Sequence, residues 1–164
     1  MIPYRLSPDD PRLSGALDLI RSSFAYMDGR IDPPSSMHRL SLVDLSRAAA
    51  TGEVWAIGTP PRACVVFTFR DDALYLGKLA VALDARGQGL ARALVALADR
   101  RAILRGLPVL ELQTRVELVD NHATFARLGF VETGRTAHDG YDRPTSITMQ
   151  RPVQGPVKGP VPGV

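Results

Sequence analysis

The stretch LYLGKLAVALDARGQGLARALVALADRRAILR, residues 74–105, decides the fold of this chain. Its first part, 74–81, is a short apolar run with a β-branched member, which is typical of a buried strand. Apolar residues return with helical spacing from Leu90 onward, and Gly106 and Pro108 would end that helix. The stretch therefore predicts a strand, a tight glycine-containing turn and a long helix.

The predicted helix lacks a usual N-cap residue. The first turn of a helix presents about four backbone N–H groups without partners inside the helix, and a Ser, Thr, Asp or Asn usually satisfies one of them. Here Leu90 is preceded by Arg86, Gly87, Gln88 and Gly89. The donors therefore stay free, the glycines allow a ligand to approach the backbone, and the arginine adds positive charge. This pattern favours a phosphate or pyrophosphate ligand.

The residues of this turn do not match two well-known phosphate-binding sequences, the Walker loop and the dinucleotide-binding fingerprint. A Walker loop is excluded because no Gly-Lys-Ser/Thr follows the glycines. A dinucleotide fingerprint needs G-x-G-x-x-G/A directly after a strand, whereas Arg92 occupies the third position and residues 82–86 intervene. A tight turn without a ligand would require one glycine but would not require the cap to be missing.

Two motifs in the chain resemble those of the GCN5-related N-acetyltransferases, the GNAT superfamily. Residues 79–81 followed by 86–91 (RGQGLA) resemble its acyl-CoA-binding signature, [RQ]-x-x-G-x-[GA] after a strand that ends L-x-V. Residues 121–130 (NHATFARLGF) resemble its closing segment, an Asn before a helix that ends [YF]-x-x-x-G-F. The resemblance covers residues 1–151. It implies an α+β fold with a mixed, mostly antiparallel sheet of six to seven strands flanked by about four helices.

The resemblance also implies a site and a reaction. Acetyl-CoA would bind as co-substrate where two central strands, 74–81 and 109–115, splay apart, and its acetyl group would pass directly to a primary amine of a small molecule or peptide, with no metal. A non-catalytic acyl-CoA-binding module on the same fold stays open as the alternative. The cofactor-binding residues that the resemblance implies are Leu79, Ala80, Val81, Arg86, Gly87, Gln88, Gly89, Leu90, Ala91, Asn121 and Phe125.

The general acid is the point at which this sequence departs from the family. Many members carry Tyr four residues before the Gly of G-F, but Phe125 stands there and has no proton to give. We predict that Tyr141 is the substitute, with His122, Tyr26 and protonation by water as alternatives. A bound water or a carboxylate could act as the general base, and the carboxylates considered are Glu53 and Glu111.

Composition limits the remaining choices. The chain has 164 residues, 45% of them hydrophobic, and a net charge of +3 without a dense Lys/Arg run, which disfavours nucleic-acid binding. No run approaches the about 18 apolar residues of a membrane span. The single cysteine, Cys64, lies in an apolar run, so we predict that its side chain is buried. Because one cysteine cannot form an internal disulfide, we also predict a cytoplasmic protein. A homodimer stays open. We predict one domain over 1–151 and a flexible Pro/Gly-rich tail over 152–164.

Periodicity predicts the rest of the elements. Three closely spaced strands with short turns indicate an antiparallel meander, and the long helix indicates a parallel crossover to the strand that follows it. By the resemblance, the loop 28–36 and its two flanking helices form one wall of the acceptor site. The further strands are predicted at 2–6, 54–57, 63–70, 109–116, from Phe130, and near 145–149, and the further helices at about 12–27, 37–50 and 121–128.

Overall fold

The strand and helix predicted over residues 74–105 lie at the centre of the computed structural model, which describes residues 2–155. Within these residues the chain forms seven strands and four α-helices. The strands are β1 (Tyr4–Leu6), β2 (Glu53–Ile57), β3 (Ala63–Phe69), β4 (Ala73–Val81), β5 (Val109–Arg115), β6 (Val131–Thr136) and β7 (Ser146–Pro152), and the helices are α1 (Leu13–Met27), α2 (Leu42–Thr51), α3 (Leu90–Leu104) and α4 (Val119–Arg127).

The strands form one sheet in the order β1-β2-β3-β4-β5-β7-β6. All neighbouring pairs are antiparallel except β4 and β5, which are parallel and are connected through α3. The predicted α+β class, the mostly antiparallel sheet and the four helices are therefore confirmed. No helix in residues 2–155 is both long and apolar enough to cross a bilayer.

Helices cover both faces of the sheet, and the sequence of β3 shows why. Val65 and Phe67 pack toward α3, whereas Cys64 and Val66 pack toward α1 and α2. A strand buried on both faces is expected to be apolar throughout rather than alternating. Cys64 is buried as predicted, and burial raises the pKa of its thiol to about 12, so the thiol is not a ready nucleophile.

The two parallel strands separate after four paired residues. Their ladder joins Ala73–Leu76 to Val109–Leu112, yet β4 continues to Val81 and β5 to Arg115. A β-bulge in this part of β4 contains Lys78, whose φ of 52° is in the left-handed region. Within the described residues, the facing edges of β4 and β5 beyond Leu76 therefore have no strand partner, and a wedge opens between them.

The predicted helix over residues 37–50 is wrong in its first part. A single 3-10 turn, Ser36–Arg39, precedes an extended residue, and α2 begins only at Leu42. The reason is a capping box, in which the Ser41 side chain accepts the Asp44 N–H and the Asp44 carboxylate accepts the Ser41 N–H. The apolar periodicity continues across this break, so it did not reveal the cap.

The first residues of the predicted tail, 152–154, form contacts with the rest of the domain. β7 extends to Pro152, the Val153 N–H donates to the Pro108 carbonyl at 2.9 Å, and the Gln154 N–H donates to the Asp99 carboxylate at 3.0 Å. These residues therefore bond to the domain. Residues 156–164 of the predicted tail lie outside the described residues.

Truncation after Arg151 is expected to lower the melting temperature by about 3–8 °C relative to truncation after Gly155. Only the shorter chain loses the two bonds of Val153 and Gln154. Thermal unfolding of both chains followed by circular dichroism measures the difference. Equal melting temperatures would show that these contacts contribute nothing to stability.

Candidate functional site

Two cavities open at the wedge between β4 and β5. The turn cavity, about 530 Å³, is bounded by residues 85–92 before and within α3 and by α4. The loop cavity, about 310 Å³, is bounded by β4, β5 and the segment 35–37. The two cavities meet, because they share four lining residues: Met27, Leu79, Asn121 and Phe125.

The turn cavity contains the uncapped N-terminus of α3. Gly89 is the N-cap residue, with φ of 77°, and no side chain caps the first turn, which also contains no acidic residue. Gly87 has φ of 78° and lines the same cavity. A side chain is strained at such φ values, so the backbone geometry itself calls for glycine. The free N–H groups and the helix dipole make this turn suited to an anion.

Charged side chains around this turn are mostly positive. Arg86, Arg92 and Arg127 line the turn cavity together with one carboxylate, Asp120. The Arg86 guanidinium carbon lies 5.6 Å from the ring centre of Tyr26. The turn cavity therefore combines backbone donors with arginines, which is the chemistry that phosphate groups require.

The predicted cofactor-binding residues converge on the turn cavity with two exceptions. Leu79, Val81, Arg86, Gly87, Gly89, Leu90, Ala91, Asn121 and Phe125 all line it. Ala80 is instead packed between the sheet and α1 and α2, with 2% of its surface exposed, because successive strand residues face opposite sides. Gln88 is exposed and lies outside the lining. Acetyl-CoA binding by these residues stays a prediction.

The loop cavity has an apolar wall and a polar, cationic one. Phe24, Met27 and Met37 contribute to the apolar wall. Among the described residues that line it, the charged ones are Lys78 and Arg115, and none is Asp or Glu. Its other polar lining residues are Ser35, Ser36, Tyr75, Gln113, Thr114, Asn121, His138 and Ser146.

Sequence reasoning missed His138, the histidine that lines the loop cavity. Its backbone N–H donates to the Thr145 hydroxyl at 2.9 Å, and its Nδ1 contacts the same oxygen. These contacts orient the ring and leave Nε2 without a hydrogen bond to any residue in 2–155. The residue lies in the β6–β7 connection, which the sequence singled out only for Tyr141.

The predicted general acids lie outside both linings. The Tyr141 hydroxyl donates to Asp32 at 2.7 Å, and this bond together with burial raises the pKa of Tyr141. His122 Nε2 donates to the Arg115 carbonyl at 2.8 Å. Tyr26 is 43% exposed. None of these three side chains lines either cavity, so a role for them in proton transfer stays a prediction that the geometry does not support.

The two carboxylates considered as bases are held in ion pairs. Burial alone would raise the pKa of Glu53, but hydrogen bonds from Arg101 and Trp55 hold it below its usual range. Glu111 pairs with Arg70. Neither carboxylate lines either cavity, so neither is placed to take a proton there.

Asp32 connects the two loops beside the loop cavity. It accepts hydrogen bonds from Tyr141 at 2.7 Å and from Arg143 at 3.1 Å, both in the β6–β7 connection. Arg115 on β5 donates to the Pro33 carbonyl at 2.7 Å. The loop after α1 is thereby held against β5 and the β6–β7 connection, which positions this wall of the cavity.

Comparisons with known proteins agree with this geometry. Residues 21–130 match the model of the acetyltransferase (GNAT) family. No curated protein sequence matches the chain. Similar solved structures include the ribosomal-protein-S18-alanine N-acetyltransferase from Escherichia coli (21% identity, TM-score 0.65, 94% of this chain and 96% of that one). Others are a GNAT-family acetyltransferase from Staphylococcus aureus (12%, 0.71, 93% and 99%) and Ard1 from Thermoplasma volcanium (17%, 0.65, 93% and 97%).

These TM-scores show a shared fold, and the family match extends over more than half of the sequence. The uncapped turn, the wedge between the parallel strands and the closing Gly-Phe segment lie within or at the edge of the matched residues. The chain therefore belongs to the acetyltransferase (GNAT) family.

Proposed function

We propose that this protein is an N-acetyltransferase that transfers the acetyl group of acetyl-CoA directly to a primary amine of a small molecule or peptide. The observation that carries the proposal is the meeting of the two cavities at Leu79 and Phe125. One cavity has the donors for a pyrophosphate, and the other has room for a small polar acceptor. Cytoplasmic location, the absence of a nucleic-acid partner and a homodimer stay predictions.

In this proposal the α3 turn holds the pyrophosphate of acetyl-CoA through its free N–H groups. The unpaired edge of β4 beyond Leu76 offers backbone groups to the pantetheine arm. A backbone N–H on that edge can also polarise the thioester carbonyl as negative charge develops on its oxygen. The fit rests on the uncapped helix and the wedge, both of which leave backbone groups free.

We further propose that His138 removes the proton from the acceptor amine. A protonated amine has no lone pair, so attack on the thioester requires a base, and histidine is the side chain that most often acts as one. Thr145 holds the ring at Nδ1, and Nε2 is free for the substrate. No carboxylate among the described residues that line the loop cavity competes for this role.

Departure of the CoA thiolate needs little help in this arrangement. Phe125 lies where the cavities meet, is 9% exposed and packs edge-on against Phe130 with ring centres 5.9 Å apart. It offers no proton. A thiol with a pKa of about 8.5 is a good leaving group, so we propose that the thiolate leaves unassisted and receives, through water, the second proton that the attacking nitrogen loses as the amide forms.

Release of CoA in the presence of an amine library tests the proposal against the alternative. Calorimetry with acetyl-CoA alone measures binding separately from turnover. Binding together with amine-dependent CoA release supports an N-acetyltransferase. Binding without release for any amine would favour the non-catalytic acyl-CoA-binding module, and absence of binding would reject both.

Arg86→Ala is expected to weaken acetyl-CoA binding about 10- to 100-fold, because it removes a charged hydrogen-bond donor from the turn cavity. Arg86 has ordinary extended backbone angles, whereas a substitution at Gly89 would strain the backbone at φ of 77°. Arg100→Ala is the matched control, since Arg100 is exposed and lines neither cavity. Equal affinities of the two variants in calorimetry would show that the phosphates of acetyl-CoA bind elsewhere.

A further inference from the structure

Lys78 is a cation without a counter-ion in the wall of the loop cavity. The residue is half-buried in the bulge of β4, and its ammonium group makes no hydrogen bond or ion pair with any residue in 2–155. Its charge acts on Asp44, but that carboxylate lies beyond ion-pairing distance and accepts two hydrogen bonds from Ser41. The lysine charge is therefore available to a ligand.

Arg115 brings a second positive charge to the same cavity. Its guanidinium donates to the carbonyls of Pro33 and Pro34, which position the group without neutralising it. Burial lowers the pKa of Arg115, while the carboxylates of Glu117, Asp32 and Asp28 act on it from beyond ion-pairing distance. An arginine stays charged in proteins, so the cavity keeps both positive charges.

Thr114 adds an unsatisfied hydroxyl to this wall. It precedes Arg115 on β5, lines the loop cavity and is 8% exposed, yet its Oγ1 has no hydrogen-bond partner in residues 2–155. A buried polar atom without a partner is uncommon in folded proteins. Because this oxygen is shielded from the cavity as well as from solvent, binding of a ligand here depends on the two cations.

We propose that the acceptor is an aminocarboxylate, a small primary amine that also carries a carboxylate, and that this carboxylate binds between Lys78 and Arg115. The proposal rests on the N-acetyltransferase function proposed above and names its substrate class. The apolar wall of Phe24, Met27 and Met37 accommodates an apolar side chain. The volume of about 310 Å³ is at the small end of ligand sites.

The two cations also favour the reactive form of such an acceptor. Like charges disfavour a protonated amine, so an ammonium group in this cavity loses its proton more readily. A simple alkylamine meets the same repulsion without gaining an ion pair. The carboxylate therefore supplies the attraction that brings the amine into a positive cavity.

Matched acceptor pairs test this inference. Leucine is compared with 3-methylbutylamine, and phenylalanine with phenethylamine, because the members of each pair differ only in the carboxylate. We expect the amino acids to show kcat/KM about 10- to 100-fold higher, as a charged hydrogen-bonding pair contributes. Calorimetry of the same compounds with the CoA-bound protein measures their binding independently of turnover.

Lys78→Asn is expected to raise the leucine KM about tenfold or more and to leave the acetyl-CoA KM unchanged. Asparagine tolerates the left-handed φ of this position, so the bulge is retained. Lys78→Arg should restore the leucine KM. Arg39→Asn is the matched control, since Arg39 is exposed and outside the lining.

The outcomes separate this inference from the proposed function. Lys78-dependent binding of amino acids without CoA release would retain the substrate class and reject the catalysis. CoA release with the simple amines at the same kcat/KM as with the amino acids, or release with amino acids irrespective of Lys78, would retain the catalysis and overturn the aminocarboxylate. Neither binding nor release with any compound would overturn both.

Discussion

His138→Ala is expected to lower kcat about 10²- to 10⁴-fold at neutral pH, with the affinity for acetyl-CoA unchanged. The ring lines the loop cavity with Nε2 free, while the turn cavity that would hold acetyl-CoA does not include it. Initial rates of CoA release give kcat, and calorimetry gives the affinity. His38→Ala is the matched control, because His38 is exposed, pairs with Asp28 and lines neither cavity.

Tyr141→Phe separates the two candidate proton-transfer residues. Its hydroxyl bonds to Asp32 outside both linings, so its loss is expected to change kcat by less than about threefold. If Tyr141→Phe instead loses more than about tenfold while His138→Ala retains the wild-type rate, Tyr141 is the residue that transfers the proton.

Asp99→Asn is expected to lower the free energy of unfolding by about 3–5 kcal/mol. Asp99 on α3 is 8% exposed and pairs through both oxygens with Arg151 on β7, which is 5% exposed. Arg151 also donates to the Leu128 carbonyl at 3.0 Å, but its Nε has no partner in the described residues. Loss of the carboxylate charge would leave this guanidinium buried without compensation.

Urea denaturation of Asp99→Asn and wild type measures this loss. The pair joins α3, which begins at the proposed phosphate site, to β7 and to the end of α4, so the variant should also lose acetyl-CoA binding at a lower temperature than wild type. Glu132→Gln is the control, because the Glu132–Arg135 pair is exposed and such pairs contribute about 1 kcal/mol or less. If the two variants lose the same free energy of unfolding, the buried Asp99–Arg151 pair does not stabilise the protein more than an exposed pair does.

The local features of the site could be predicted from the sequence. Residues 74–105 encode their strand, turn and helix through short-range periodicity, and the missing cap before Leu90 is a property of adjacent residues. The glycines at 87 and 89 have the left-handed φ values that such a turn requires. Phe125 was placed by the resemblance to the closing segment of the GNAT family, four residues before Gly129, and it lines both cavities.

Breaks within helices and strands could not be predicted from the apolar pattern of the sequence. The helix predicted from residue 37 breaks at Ser41, where a capping box formed by a serine and an aspartate overrides a continuing apolar pattern. The bulge that places Lys78 in the cavity wall depends on the pairing of β4 with β3, and the sequence of β4 shows no glycine at that position.

Only the tertiary structure decided which polar side chains share the loop cavity. His138 and Lys78 come from segments 60 positions apart, and Tyr141 is bonded to an aspartate 109 positions away and lines neither cavity. Periodicity reports which face of an element is buried, but not which loops meet. The wedge and its charged lining arise from sheet register and loop packing, which act between residues far apart in the chain. The uncapped glycine turn before α3 arises from neighbouring residues and could therefore be predicted from the sequence alone.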